Sequence, residues 1–442
     1  MPSAAFVRFW YTDLVRDECL AYLSAKDQAS LRLVSQEFSF LVAPSLFRDL
    51  HITFGIHTFA RPARLAALDR IGGYVRKFNF SMPHSQETFL PPLLDPTTGE
   101  EQTFIYEPNQ CNARPSSRHC QGRSKYGSWE MNDLLVKQYP PLFHASTDIA
   151  SFIRAFAAMS ELRSLSISCP LASPPFIYRQ SAVDFGLISL RIAVEQTPLP
   201  WLESLSLDTV HPLSLLHLRP APGIGARPSS TRRWRQIRNL SISMDCPPWG
   251  NGQPTDHFKI LHSYLQTFSQ LEDLNFEWLG RRGPCPLSFS SEPCLAPCAV
   301  DSSATCPQTF AQRPCPIKYR RLRRMKLENA LLDARQASEF ISKHRKVLQE
   351  FVFENVHLRS GTWDDALAPL TRISGSDSWK EKQEEVMDVP LALGPVPVEE
   401  CINEALWPEE RVKHRPFLAL KKASIRTREM LGALRLSRLA WR

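Results

Sequence analysis

Apolar residues recur along this chain in the frame Leu-x-x-Leu-x-Leu, with polar residues at the positions between them. Seven copies can be read, as VRKFNF from Val75, LRSLSI from Leu162, LESLSL from Leu202, IRNLSI from Ile237, LEDLNF from Leu271, LRRMKL from Leu322 and LQEFVF from Leu348. The fourth and sixth residues of each copy are apolar and their neighbours mostly polar, the period-2 signal of a half-buried strand. Three copies are preceded by a helical period. Ile149, Phe152, Ile153, Phe156 and Met159 form one stripe; Phe258, Leu261, Leu265 and Phe268 form a second; Ala337, Phe340, Ile341, His344 and Leu348 form a third.

A helix and a strand with one apolar face each cannot close a core alone, so such units must stack on their neighbours. The pattern predicts an α/β chain of stacked helix–strand units with parallel strands on a concave side. An ordinary α/β domain with leucine-rich strands is the alternative. The first residues of successive copies are 87, 40, 35, 34, 51 and 26 apart, against roughly 20–29 in regular repeat arrays, so the stack should be irregular. The Asn or Cys that would bond the turn beyond each strand is out of register, since Cys169, Asn329 and Asn355 each sit one position early.

In such strands the residues between the apolar positions share the outer face. They are Ser164, Ser166 and Ser168; Ser204, Ser206 and Asp208; Asn239, Ser241 and Ser243; Asp273, Asn275 and Glu277; Arg324, Lys326 and Glu328; and Glu350, Val352 and Glu354. The face runs from small hydroxyls through an acidic patch to mixed charge, and is the expected partner-binding surface.

Ahead of the repeats, residues 10–50 read as a compact helical unit. Ser24 with Asp27 is a capping signal. Leu31, Val34, Phe38 and Leu41 then recur at helical steps as one run, Pro44 ends it, and Ser45–Leu50 restarts it. His51–Phe54 reads as a short strand opening a second region, 51–360. Disordered insertions are expected near 83–128, 211–234 and 280–318, with the apolar end of the first, GSWEMNDLLVKQYPPLFH, packing on the repeats. Residues 361–442 read as a charged, Pro-rich tail with a solvated helix at DSWKEKQEEV and a basic amphipathic one at TREMLGALRLSRLAW.

Composition narrows the function classes. The 442 residues carry a formal charge of +8 and 43% hydrophobic residues, enough for a large core. No apolar run approaches the ~18 residues of a membrane span. The N-terminal stretch lacks the pattern of a secretory signal, so a cytoplasmic or nuclear protein with mostly reduced cysteines is expected. Basic knots at Arg232–Arg238, at Arg320–Lys326 and from Lys413 to Arg442 lack interleaved aromatics, which makes nucleic acid an unfavoured partner.

Cys285, Cys294, Cys298, Cys306 and Cys315 invite a zinc reading, but only Cys294 and Cys298 are closely spaced and the segment holds no His. Cys111, His119 and Cys120 form a single incomplete cluster. No nucleophile elbow, H-E-x-x-H helix, Walker loop or kinase set is present. The sequence therefore points to a binding protein with no catalytic, metal or cofactor residues.

One stretch resembles a known module. LAYLSAKDQASLRLVSQEFSFLVAPSLFRDLHITF, Leu20 to Phe54, resembles an F-box, and with the repeats the chain is similar to F-box proteins with degenerate leucine-rich repeats. The resemblance implies a three-helix unit that docks on a Skp-family adaptor, and through it on a cullin scaffold, while the repeats hold a protein substrate for ubiquitin transfer by partners. Carried over, Leu20, Leu23, Leu31, Val34 and Phe38 would build that unit or its adaptor-facing surface. The module usually opens with Leu-Pro-x-Glu; here those positions are Tyr11, Thr12, Asp13 and Leu14. The alternative function is a repeat scaffold with a degenerate F-box and no role in ubiquitin transfer.

Overall fold

The computed structural model describes residues 4–108, 126–170, 180–220, 224–227, 229–247, 256–287 and 317–371. The strands are β1 (Asp49–Thr53), β2 (Lys77–Ser81), β3 (Ser164–Ser168), β4 (Ser204–Asp208), β5 (Asn239–Asp245), β6 (Asp273–Leu279), β7 (Gly283–Pro284), β8 (Arg324–Glu328), β9 (Ala330–Asp333), β10 (Glu350–Glu354) and β11 (His357–Ser360). Eight of them form one open sheet in the order β1-β2-β3-β4-β5-β6-β8-β10. Every pair is parallel, and no step is staggered: Asp49, Lys77, Ser164, Ser204, Asn239, Asp273, Arg324 and Glu350 lie side by side. The chain is an α/β protein with its strands laid down in sequence order.

This register follows from the apolar frame. A one-residue slip would turn every inward side chain outward. Phe78, Leu165, Leu205, Leu240, Leu274 and Met325 make one inward column; Phe80, Ile167, Leu207, Ile242, Phe276 and Leu327 make the next, and all are buried. The ladder is closed at the strand starts by a repeated device, in which the carbonyl ahead of each strand accepts two N–H groups. Arg48 O accepts from Arg76 N and Lys77 N at 2.9 Å, and the pattern repeats down to Arg323 O with Gln349 N and Glu350 N. β1 is an eighth copy of the frame, Phe47-x-x-Leu50-x-Ile52, and starts two residues before and ends one residue before the short strand expected at His51–Phe54.

The expected helices before three copies are present as Ile149–Ala158, Asp256–Leu265 and Ala334–His344. A longer one, Ala182–Gln196, gave no stripe because 12 of its 15 residues are buried; a helix covered on all sides loses the amphipathic signature. At the β1 end, Phe54, Phe59, Phe80 and Phe152 interlock with ring centroids 5.0–6.3 Å apart and seal the core. Gly72 lets that end close: a Cβ there would meet the Ala158 carbonyl oxygen at 2.4 Å.

Several expectations need correction. Residues 83–108 pack rather than straying, because Leu90, Leu93 and Tyr106 join Tyr126, Leu135, Phe143 and Phe185 in a second apolar cluster. The described parts of 211–234 are also built in, through a short helix Leu215–Leu218 and a helix Ser230–Arg235 that buries Trp234. Residues 361–371 contain a helix, Trp363–Thr371, against helix Ala334–His344. Asn329, one position early in the frame, still bonds its turn: at φ 57° it turns the chain beyond β8, and its Nδ2 donates to Trp278 O at 2.8 Å. Cys111, His119, Cys120, Cys294, Cys298, Cys306 and Cys315, and both helices expected in the tail, lie outside the described residues.

The N-terminal unit starts earlier than residue 10, with helices Ala4–Tyr11 and Asp13–Tyr22, then Ala25–Arg32 and Gln36–Leu46. Ser24 caps as expected, its Oγ accepting from Asp27 N at 3.2 Å. The single run through Leu31, Val34 and Phe38 is instead two helices, because Ser35 caps a new one by accepting from Phe38 N. Pro44 does not end that helix; the carbonyl it leaves without an N–H belongs to Phe40, an exposed residue.

Candidate interaction surfaces

The outward face of the sheet is the first candidate. Its curvature encloses a groove of about 600 Å³ whose lining reaches from Lys77 and Asn79 on β2 to Glu350 and Val352 on β10. Twelve of the eighteen residues expected from the sequence line it: Ser164, Ser166, Ser204, Ser206, Asn239, Ser241, Asp273, Asn275, Arg324, Lys326, Glu350 and Val352. The other six, Ser168, Asp208, Ser243, Glu277, Glu328 and Glu354, share their face but lie one step further along their strands, outside that lining. Lys77 and Asn79 were missed as site residues because their copy of the frame stands far from the others in sequence; the spacing within VRKFNF was the available signal.

Side chains on this face bond across strands. Asn239 Nδ2 donates to Ser204 Oγ at 2.9 Å and Asn275 Nδ2 donates to Ser241 Oγ at 3.2 Å. Ser243 Oγ donates to Glu277 Oε2 at 3.3 Å. These rungs hold the floor in one arrangement, while Asn275 Oδ1 is buried without a partner. The middle of the groove is thus neutral, shallow in side-chain length and rich in hydroxyls, which lets another backbone approach closely.

The β6–β10 end carries paired charge. Arg324 forks onto Asp273, Nε to Oδ1 at 2.6 Å and Nη2 to Oδ2 at 2.5 Å. Lys326 Nζ bridges Glu328 at 3.1 Å and Glu354 at 2.9 Å. Burial raises the Glu328 carboxyl pKa, opposed by Lys326 and reinforced by Glu277 and Glu354. Asp208 continues this acidic row on β4, in register with Ser243 and exposed.

The N-terminal helical unit is the second candidate. Trp10, Leu20 and Val42 form its core, with Phe9, Leu23, Leu31, Phe38 and Leu46 packed on it. Trp10 meets Phe38 edge-on at 5.0 Å, and Gln28 Nε2 donates to Leu20 O at 2.7 Å. Of the residues expected to build the unit or its outer surface, Leu20 is fully buried; Leu23, Leu31 and Phe38 are partly buried supports; Val34 is exposed. The sequence missed the most outward apolar residues: Leu14 is 81% exposed, Tyr22 83% and Leu33 88%, with Phe40 also exposed. With Val34, these are the most exposed large apolar residues of the unit.

Clustered histidines lie away from both surfaces. His84 Nδ1 faces Ser181 Oγ at 3.3 Å, and His217 Nε2 lies 3.5 Å from Asp184 Oδ1. Among the described residues no group of three or more His, Cys, Asp or Glu is placed to hold a metal ion. No helix among them is long and apolar enough to cross a membrane. Neither a scan against protein-family models nor a search of the curated proteins finds a match to this chain.

Proposed function

We propose that this chain is the substrate-recruiting subunit of a cullin-based ubiquitin ligase. In this reading the helical unit is an F-box that docks on a Skp-family adaptor, and the stacked strands are degenerate leucine-rich repeats whose polar face holds a protein. The observation that carries it is the division of the molecule into two unlike surfaces. One is a helical unit with Leu14, Tyr22, Leu33, Val34 and Phe40 turned outward; the other is a hydroxyl-lined groove across in-register strands.

The two surfaces suit different partners. Apolar side chains on short helices are suited to burial against another protein's helices. A polar floor with fixed rungs suits a partner selected by hydrogen bonds and charge. The chain would perform no chemistry itself; it would hold a target lysine near a ubiquitin-charged enzyme carried by the complex, raising its effective concentration. Tyr11 and Thr12, where the module usually has Leu-Pro, favour a second reading: a scaffold that binds through the groove without ubiquitin transfer.

Affinity purification of the full chain from cells separates them. Ubiquitin-ligase function predicts recovery of a Skp-family adaptor and a cullin. Paired Leu33→Glu and Val34→Glu substitutions should remove both while leaving groove-bound proteins in place. Recovery of groove-bound proteins without an adaptor supports the scaffold.

A further inference from the structure

One edge of the groove carries positive charge that the described residues do not fully neutralise. Ahead of each strand sits one residue whose carbonyl closes the ladder, so these residues stand in a column. From β4 onward it alternates as Glu203, Arg238, Glu272 and Arg323, and Glu272 pairs with both arginines. Arg238 Nη1 lies 3.8 Å from Glu272 Oε1 and Arg323 Nε 4.0 Å from Glu272 Oε2. Ahead of β1, β2 and β3 the same column reads Arg48, Arg76 and Arg163. Lys77, the next residue after Arg76, also lines the groove.

All four cations are exposed, and among the described residues none of them makes an ion pair. Asp49, in register with Lys77, and Glu203, next in the column after Arg163, offset two charges of the four and leave the row net positive. Exposed Trp201 borders the group: Arg163 Cζ lies over its ring, 6.0 Å from the centroid. Tryptophan and arginine are both enriched where binding energy concentrates.

We propose that this edge receives an extended acidic segment of the protein that the groove binds, two or more Asp or Glu carboxylates meeting the arginines and an apolar side chain meeting Trp201. The inference rests on reading the polar face as a protein-binding surface. Neighbouring strands are about 4.8 Å apart, so the three arginines span about 10 Å. Side chains on one face of an extended segment recur about every 6.7 Å, so two carboxylates fit within that span. A lone phosphate would ask the cations to converge on one point, and these are strung in a row. Each guanidinium can fork onto a carboxylate, and together they steer an acidic segment to the groove.

Fluorescence anisotropy with the full-length protein tests this, using labelled ten-residue peptides of one apolar scaffold in acidic, basic, neutral and singly phosphorylated versions. The acidic peptide should bind best, weaken as salt rises, and lose about tenfold or more in affinity with Arg76→Glu plus Arg163→Glu. Lys346→Glu, an exposed cation elsewhere, should leave it unchanged. Binding of the acidic peptide that is indifferent to the double reversal overturns the proposal, as does preference for the phosphorylated peptide over the acidic one. Binding of the neutral or basic peptide alone, lost in Ser206→Arg plus Ser241→Arg, also overturns it while leaving the groove as a protein-binding surface. No binding by any peptide overturns it as well, and purification of the full chain with its groove-bound proteins then decides the wider reading separately.

Discussion

Arg191 and Glu195 face each other inside the molecule, one helical turn apart, with Nε 3.6 Å from Oε1 and their side chains 0% and 4% exposed. Arg191 reaches on to the carbonyls of Arg219 and Ile224, while Glu195 accepts from Ser230 Oγ at 2.6 Å and Trp234 Nε1 at 3.0 Å. Burial lowers the arginine's pKa and raises the carboxyl's. Together they tie the segment after β4 to helix Ala182–Gln196. Glu195→Ala strands the arginine and two donors, so a loss of about 3–5 kcal/mol is expected in urea unfolding. Removing both charges with Arg191→Met and Glu195→Leu should cost clearly less. Equal losses for the single and double variants would show that the pair is not what fastens the segment.

The turns beyond the strands make a second prediction. Thr209 holds φ 53°, a left-handed conformation that strains a β-branched residue, and Asn329 holds φ 57° with a side-chain bond to Trp278. Thr209→Gly should therefore stabilise by about 1 kcal/mol. Asn329→Ala should destabilise by about 2 kcal/mol, through lost bond and added strain. Denaturant midpoints compare the two, and a change of the same sign in both would contradict the argument.

Acid should destabilise the fold across a defined window. His211 is pushed down to about 4, chiefly by burial, with His257 and His84 adding to it. Its Nδ1 accepts from Leu213 N at 3.2 Å, a bond only the neutral ring can accept. Burial likewise lowers His84, His217 and His344. Between the unfolded value near 6.5 and the folded values, the unfolded chain binds more protons, so stability falls as pH drops from about 6.5 toward 4. His211 alone contributes on the order of 3 kcal/mol to that slope. Urea midpoints measured from pH 7 to 4 should show it, and His211→Gln should flatten it; a pH-independent midpoint would contradict it.

The helical unit separates stability from binding. Leu20→Ala removes a fully buried side chain and should cost about 3 kcal/mol. Leu33→Glu changes a residue 88% exposed and should stay within about 0.5 kcal/mol of wild type. A large loss of stability from Leu33→Glu would mean that residue is structural.

Much of the sheet was legible because its frame is local: two apolar positions at fixed spacing specify the face and, repeated, the register. The β1 copy escaped because it opens on Phe47 inside the helical unit's pattern. Helix Ala182–Gln196 escaped because burial on every side erased its stripe. The break at Val34–Ser35 was hidden by an accidental helical spacing of Leu31, Val34 and Phe38, which a capping serine overrode. On the groove, the residue types could be read from the frame, whereas the rungs from Asn239 to Ser204 and Asn275 to Ser241 depend on which copies become neighbours. The unpaired arginine row needed that same knowledge, since Arg48, Arg76 and Arg163 are far apart in sequence.

Titration calorimetry between the purified full-length chain and a Skp-family adaptor tests the central claim most directly. One adaptor should bind per chain, with binding abolished by Leu33→Glu plus Val34→Glu and unchanged by Ser206→Arg plus Ser241→Arg in the groove. No heat of binding with the wild-type chain, or binding that survives the helical substitutions and fails with the groove ones, would contradict it.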